Sequence, residues 1–257
     1  MCLSLCAACA APPRQPKNQP PEAASLTAPA SSPAIVKRAV VHVDNLEPSK
    51  VAQFEMARTN FVGELEKRGV DDRRGLYLKV GETRFYSIVP FESFTALDVL
   101  AGARSRAQAL MKGTIEEYDR LSDEALVFPH GNEIWSERAD LSYLLEGRSL
   151  EAAVELVTED VAPMCDYSAA WSPIAAALAS IKHPIERRTF FSGYGTGRTL
   201  TFWLAPSLEA LRQHPLEAAL DKAVGNARAE ELLRSLRACV VRSEVKPVRF
   251  MREMTVR

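Results

Sequence analysis

Residues 81–97 read GETRFYSIVPFESFTAL, and residues 195–211 read GTGRTLTFWLAPSLEAL. Gly81 aligns with Gly195, Arg84 with Arg198, Ser93 with Ser207 and Ala96-Leu97 with Ala210-Leu211, each pair 114 positions apart. Both stretches are a turn, a β-rich run, and then a Ser that opens a helical pattern. One separation held across turn, strand and helix cap points to an internal duplication.

Working outward from the first copy, AVVHVD at 39–44 reads as a strand, and Pro48 suits the first turn of a helix. Val51, Phe54, Phe61 and Leu65 recur at helical spacing, and Gly69 closes that helix. Strands at 76–80 and 84–89 flank a tight Gly81-Glu82 turn. A helical region follows Ser93, is interrupted near Gly113 and runs to about Leu126; a strand is expected over 134–144. The order is β-α-β-β-α-β.

The second copy repeats it. Ala153-Val154 and Val157 match Ala39-Val40 and Val43 at the same separation. Met164, Tyr167, Trp171, Ile174, Leu178 and Ile181 form a helical stripe, with a kink expected at Ser172-Pro173. Strands at 188–193 and 198–204 make the hairpin, and Ser207 caps a helical region that Pro215 interrupts before a long helix to about Ala238. The closing strand is expected over 240–256. Its Ser243-Glu244 matches Ser136-Glu137 at a separation of 107, which implies an indel of seven residues, about two helical turns.

A β-α-β-β-α-β unit is the ferredoxin-like arrangement, a four-stranded antiparallel sheet with helices on one face. The bare face needs a cover, and a second unit supplies it. On element order and length over residues 37–257 the chain resembles the dimeric α/β-barrel superfamily, which includes NIPSNAP-like, EthD-like and antibiotic-monooxygenase-like proteins. The resemblance implies an α+β fold with two tandem ferredoxin-like units, 37–146 and 150–257, packed sheet to sheet as a barrel closed within one chain. A monomer then suffices.

A net charge of −1 lacks the basic excess of a dedicated nucleic-acid binder. No apolar run reaches the roughly 18–20 residues that span a bilayer. The start, MCLSLCAACAAPP, resembles the end of a bacterial lipoprotein signal, with Cys9 as the acylated residue and Ala7-Ala8 before it. Cys6 stands where Leu is usual, and a basic leading region is missing. Residues 10–34 are rich in Pro, Ala, Ser and Gln, a composition that cannot repay the entropy of ordering. Residues 1–36 are therefore expected to be a signal remnant and a disordered tether. The protein would be held in the bacterial cell envelope by a lipid anchor only, the alternative being a cytoplasmic protein with an uninformative terminus. The Cys6-Ala-Ala-Cys9 spacing lacks the strand–helix setting of a redox pair and the second ligand pair of a zinc site. Cys165 and Cys239 read as small buried residues, with a disulfide between them left open.

Chemistry is less legible. Gly193-Tyr194-Gly195-Thr196-Gly197-Arg198 is followed by a strand instead of a helix, so it reads as a hairpin turn and not a phosphate cradle. Some relatives in the resembled superfamily hold haem through a helix histidine, but His130, His183 and His214 have no second ligand at suitable spacing; no metal and no cofactor are expected. The space between the sheets is the candidate pocket. Tyr86, Trp135 and Trp203 with Glu244 are its candidate ligand-binding residues, and His42 with Glu137 its candidate acid/base pair. The first reading of function is a binder of a small or apolar ligand, or of a partner. The alternatives are a cofactor-independent enzyme of the monooxygenase or EthD-like kind and a structural assembly module. Catalysis itself is left open.

Overall fold

The computed structural model describes residues 38–69, 75–127, 131–192 and 198–256. Cys9 and the tether, residues 71–74, His130 and the 193–197 turn lie outside the described residues.

Eight strands close into an antiparallel barrel: β1 (Arg38–Asn45), β2 (Leu76–Val80), β3 (Arg84–Phe91), β4 (Gly131–Glu137), β5 (Ala153–Val161), β6 (Glu186–Ser192), β7 (Arg198–Leu204) and β8 (Val240–Phe250). Around the barrel they run β1-β3-β2-β8-β5-β7-β6-β4. The first four strands are thus contiguous in the order β4-β1-β3-β2, and the last four in the order β8-β5-β7-β6. Two short seams join them. Leu78, Lys79 and Val80 of β2 face Phe250, Arg249 and Val248 of β8, while Trp135, Ser136 and Glu137 of β4 face Ser192, Phe191 and Phe190 of β6. Closure leaves no sheet edge exposed. Gly81, at φ +65, supplies the left-handed turn between β2 and β3 that a side chain would resist.

Helices cover the outside. Over the first half lie α1 (Val51–Lys67) and α2 (Phe94–Asp123), packed on Tyr77, Phe85 and one another. Over the second lie α3 (Tyr167–Ser180), α4 (Leu208–Gln213), α5 (Leu216–Val224) and α6 (Asn226–Ala238). No helix among the described residues is long and apolar enough to cross a membrane.

Several expectations need correcting. The strand expected over 134–144 stops at Glu137, where the chain enters a 3-10 turn, Ala139–Leu141, that drops Leu141 into the helix layer. β8 ends at Phe250, not near Val256, for a like reason: a 3-10 turn, Arg252–Met254, buries Met254. The helix expected to run unbroken to Ala238 divides at Gly225, whose φ of +81 turns the chain between α5 and α6. α3 passes through Pro173 without a break. The carbonyl that loses its donor there belongs to Ala169, which is exposed to water. Met164 precedes α3 and is 97% exposed, so it does not belong to the buried stripe.

The strand register also removes the seven-residue indel. Arg84 faces Asn45 and Arg198 faces Asp160, so Asn45 and Asp160 hold corresponding places. Two residues earlier, Val43 faces Gly131 in β4 and Thr158 faces Glu244 in β8. Glu244 therefore sits where β4 has Gly131, and the place matching Glu137 is held by Phe250. Ser-Glu recurring at 136–137 and 243–244 is coincidental in register.

Candidate functional site

Along each strand alternate residues point into the barrel. Ala39, Val41, Leu78, Val80, Ile88, Leu156, Leu204 and Val248 fill the interior together with four large rings. Trp135, fully buried, is the centre: Tyr86 meets it edge-on at 5.4 Å between centroids, Phe190 lies at 5.9 Å and Phe202 at 6.1 Å. The middle of the barrel is a packed core. At one end Glu186, 1% exposed, accepts the backbone N–H groups of Glu146 and Arg148 and ties a loop over the opening.

The other end is open. Where β1 and β5 finish and β3, β4, β7 and β8 begin, a cavity of about 500 Å³ is floored by Val43, Tyr86 and Leu200. Its wall is charged: Arg84, Arg198 and Arg242 against Glu133, Asp160 and Glu244. Arg84 Nε donates to Asn45 Oδ1 at 2.8 Å, and Arg198 Nε lies 3.2 Å from Asp160 Oδ1. Lys246 Nζ lies 2.9 Å from Glu244 Oε1, and Arg84 Nη1 lies 3.9 Å from its Oε2. The hydrogen bond from Lys246 holds the Glu244 carboxyl below its ordinary pKa, with the charges of Lys246, Arg84 and Arg242 adding to it. Trp135 Nε1 donates to Glu133 Oε2 at 2.8 Å, so the core indole is wired to the wall of the mouth. Burial pushes the Tyr86 phenol up, which keeps it a neutral donor at ordinary pH.

The candidate residues separate. Tyr86 and Trp135 meet at and below the floor of the mouth, and Glu244 is on its wall. Glu137 faces the barrel interior at the opposite end, 3.2 Å from Arg188 Nε. His42 lies between inward-pointing Val41 and Val43 and so points out toward the helix layer. There its Nε2 is 2.9 Å from Asp44 Oδ1 and its Nδ1 is 2.9 Å from Asn132 Oδ1, while Tyr77 donates to Asp44 Oδ2 at 2.8 Å. His42 and Glu137 therefore do not form a pair. Trp203 also faces outward, beside the Arg187 guanidinium at 5.8 Å.

That arginine is the centre of a second buried cluster. Arg187, 3% exposed, stacks on Trp171 at 3.7 Å and donates to the Tyr167 hydroxyl at 3.0 Å and to Thr189 and Thr201. Tyr167 donates in turn to Glu159. Burial, reinforced by Glu159, pushes the Tyr167 phenol up to about 12. These contacts clamp α3 to β6 and β7 and are structural. His183 and His214 pack edge-on at 6.2 Å, and burial pushes the His183 imidazole down. Neither lines the mouth, and the described residues contain no cluster of three metal-ligating side chains.

Sequence reasoning missed Glu133, Asp160 and Arg242, and took Arg84 and Arg198 only as duplication markers. The available signal was charge at inward-facing positions of strand ends, where a barrel opens to water.

No protein-family model matches the chain, and no curated protein is similar to it. Solved structures are. A candidate monooxygenase from Fusobacterium nucleatum is 9% identical, over 85% of this chain and 94% of that one, with a TM-score of 0.54. A candidate monooxygenase from Lactobacillus acidophilus is 9% identical over 84% and 94%, with a TM-score of 0.49. A chlorite dismutase from Candidatus Nitrospira defluvii is 10% identical over 86% and 93%, with a TM-score of 0.42. The likeness to the Fusobacterium protein is one of fold, here a mixed helix-and-strand chain with an eight-stranded antiparallel closed barrel.

Proposed function

We propose that this protein binds a small polar molecule in the barrel mouth without transforming it. The observation that carries this is the division of the interior: an aromatic core centred on Trp135 below, and an open, charge-lined cavity of about 500 Å³ above. That volume is within the range of small-molecule sites. An apolar ligand would have to desolvate the arginines and carboxylates of the wall without replacing their hydrogen bonds, which is unfavourable. The ligand is therefore small and polar, where the sequence reading left a small ligand, an apolar ligand and a partner open.

The enzymatic alternative draws on the Fusobacterium neighbour, described as a candidate monooxygenase, only through a shared fold at 9% identity. Against it, the strand imidazole of His42 points away from the cavity.

We further propose that the barrel arose by duplication of one β-α-β-β-α-β unit and that it is displayed in the cell envelope behind an acylated Cys9. The first is supported by the matching strand orders of the two halves. The second is supported by the Cys165–Cys239 disulfide, since such bonds persist chiefly in oxidising compartments.

The test is a thermal-shift screen of small polar metabolites on the purified protein and on Gly131→Trp. Gly131 is at the rim with open space where a side chain would begin, so the indole blocks the mouth without disturbing the core. A compound that stabilises the native chain and not the blocked variant is the expected result. Mouth-dependent oxygen consumption with any hit would overturn the non-catalytic reading, and hits that bind both proteins equally would overturn the site.

A further inference from the structure

The charges of the mouth are not evenly satisfied. Arg198 has Asp160, while Glu244 has Lys246 and, more loosely, Arg84. Two groups remain. Glu133 is met by the neutral indole of Trp135, and neither it nor Arg242 forms an ion pair among the described residues. Arg242 contributes to the field at Glu244 without a direct bond to it.

Their placement is what matters. Glu133 is on β4 and Arg242 on β8, and in the closed order β1-β3-β2-β8-β5-β7-β6-β4 those two strands are four apart by either route. The anion and the cation that lack an ion pair among the described residues thus line opposite sides of the cavity, Arg242 opposite Asp160 in the strand register and Glu133 one inward-facing strand pair deeper than Val43. Resting on the reading of the mouth as a binding site, we infer that its ligand is a zwitterion. The cationic end lies against Glu133, the anionic end against Arg242, and a short apolar linker crosses the floor between them. A simple anion would satisfy Arg242 and leave Glu133 repelling it; a simple cation would do the reverse.

Linear ω-amino acids measure such a site. Titration calorimetry at low ionic strength compares ε-aminocaproate with caproate and hexylamine, which share its length and carry one charge each. Each partly exposed ion pair supplies about a fivefold gain, so the amino acid binds more tightly than either single-charge probe by about that factor. Glu133→Gln keeps an acceptor for the Trp135 indole and removes the charge. It should bring ε-aminocaproate down to the affinity of caproate while leaving caproate unweakened. Arg242→Met, on an exposed side chain, should do the converse with hexylamine. Caproate or hexylamine binding the native protein as tightly as the amino acid, with Gly131→Trp still blocking it, overturns the zwitterion and leaves the mouth as a binding site. Failure of every probe also overturns the zwitterion, and the binding reading is then decided by its own screen.

Discussion

Removing the Cys165–Cys239 disulfide should cost the folded protein about 4 kcal/mol. Cys165 lies just before α3 and Cys239 at the end of α6, with Cα atoms 5.4 Å apart, so the bridge closes the helix layer of the second half over a sequence separation of 74. The entropy that a cross-link of this span removes from the unfolded chain amounts to ~4.4 kcal/mol at 25 °C. For a body of this size each kcal/mol shifts the melting temperature by roughly 2–4 °C, so the reduced protein should melt on the order of 10 °C lower. The assay is scanning calorimetry of a chain with Cys2, Cys6 and Cys9 replaced by Ser, with and without a phosphine reductant. Cys239 is 2% exposed and resists native-state reduction, so Cys165→Ala/Cys239→Ala serves as the second measurement. That double variant also loses a little packing, which makes 4 kcal/mol a lower bound for it. Oxidised, reduced and alanine proteins that melt within ~3 °C of one another, or two titratable thiols in the denatured unreduced chain, would refute the reasoning. The envelope assignment would lose its main structural support with it.

Three further outcomes follow from the buried clusters. Arg187→Met removes the group that Trp171, Tyr167, Thr189 and Thr201 surround, and should cost about 3 kcal/mol in urea unfolding; a loss below ~1 kcal/mol would show the cluster to be slack. Trp135→Ala empties the middle of the barrel and should cost about 4 kcal/mol in urea unfolding. The Tyr167 phenol is raised to about 12 in the folded state from 10.0, so its contribution is complete below pH 10 and fades as pH rises toward 12. By pH 11 that amounts to about 1.4 kcal/mol. Tyr77, also raised by burial, acts in the same direction. Melting temperatures between pH 9 and 11 should fall less steeply in Tyr167→Phe than in the native chain, and parallel slopes would contradict the assignment.

Much of the fold is readable along the chain because its determinants are local. The Gly81 turn, the Ser207 cap that accepts from Ala210 N, and the helical spacing of Tyr167, Trp171, Ile174 and Leu178 each act within a few residues. Where the elements stop is less local. β4 ends at Glu137 because Leu141 has a place in the helix layer to fill, and that place is built by α3, more than twenty residues away. The false Ser-Glu match at 136 and 243 has the same origin: register is set by partners on neighbouring strands, and short polar dipeptides recur by chance.

The candidate site was the hardest part to read. In a half-exposed sheet, polar residues mark the outer face, but here both faces are buried, one by helices and one by the barrel. Fully buried Val41 points inward and fully buried Phe85 outward, while Asp44 is buried on the outer face beside a part-exposed His42 and the polar groups of Glu133 and Arg242 line the mouth. Hydrophobic alternation shows which residues share a face, never which face is the interior. By itself the sequence determined the order of the elements, the turns and caps that bound most of them, and the residue sets that travel together on each strand. Only the tertiary structure decided that β2 meets β8 and β4 meets β6, and therefore which charges confront one another across the opening, because those contacts join residues that no local preference links.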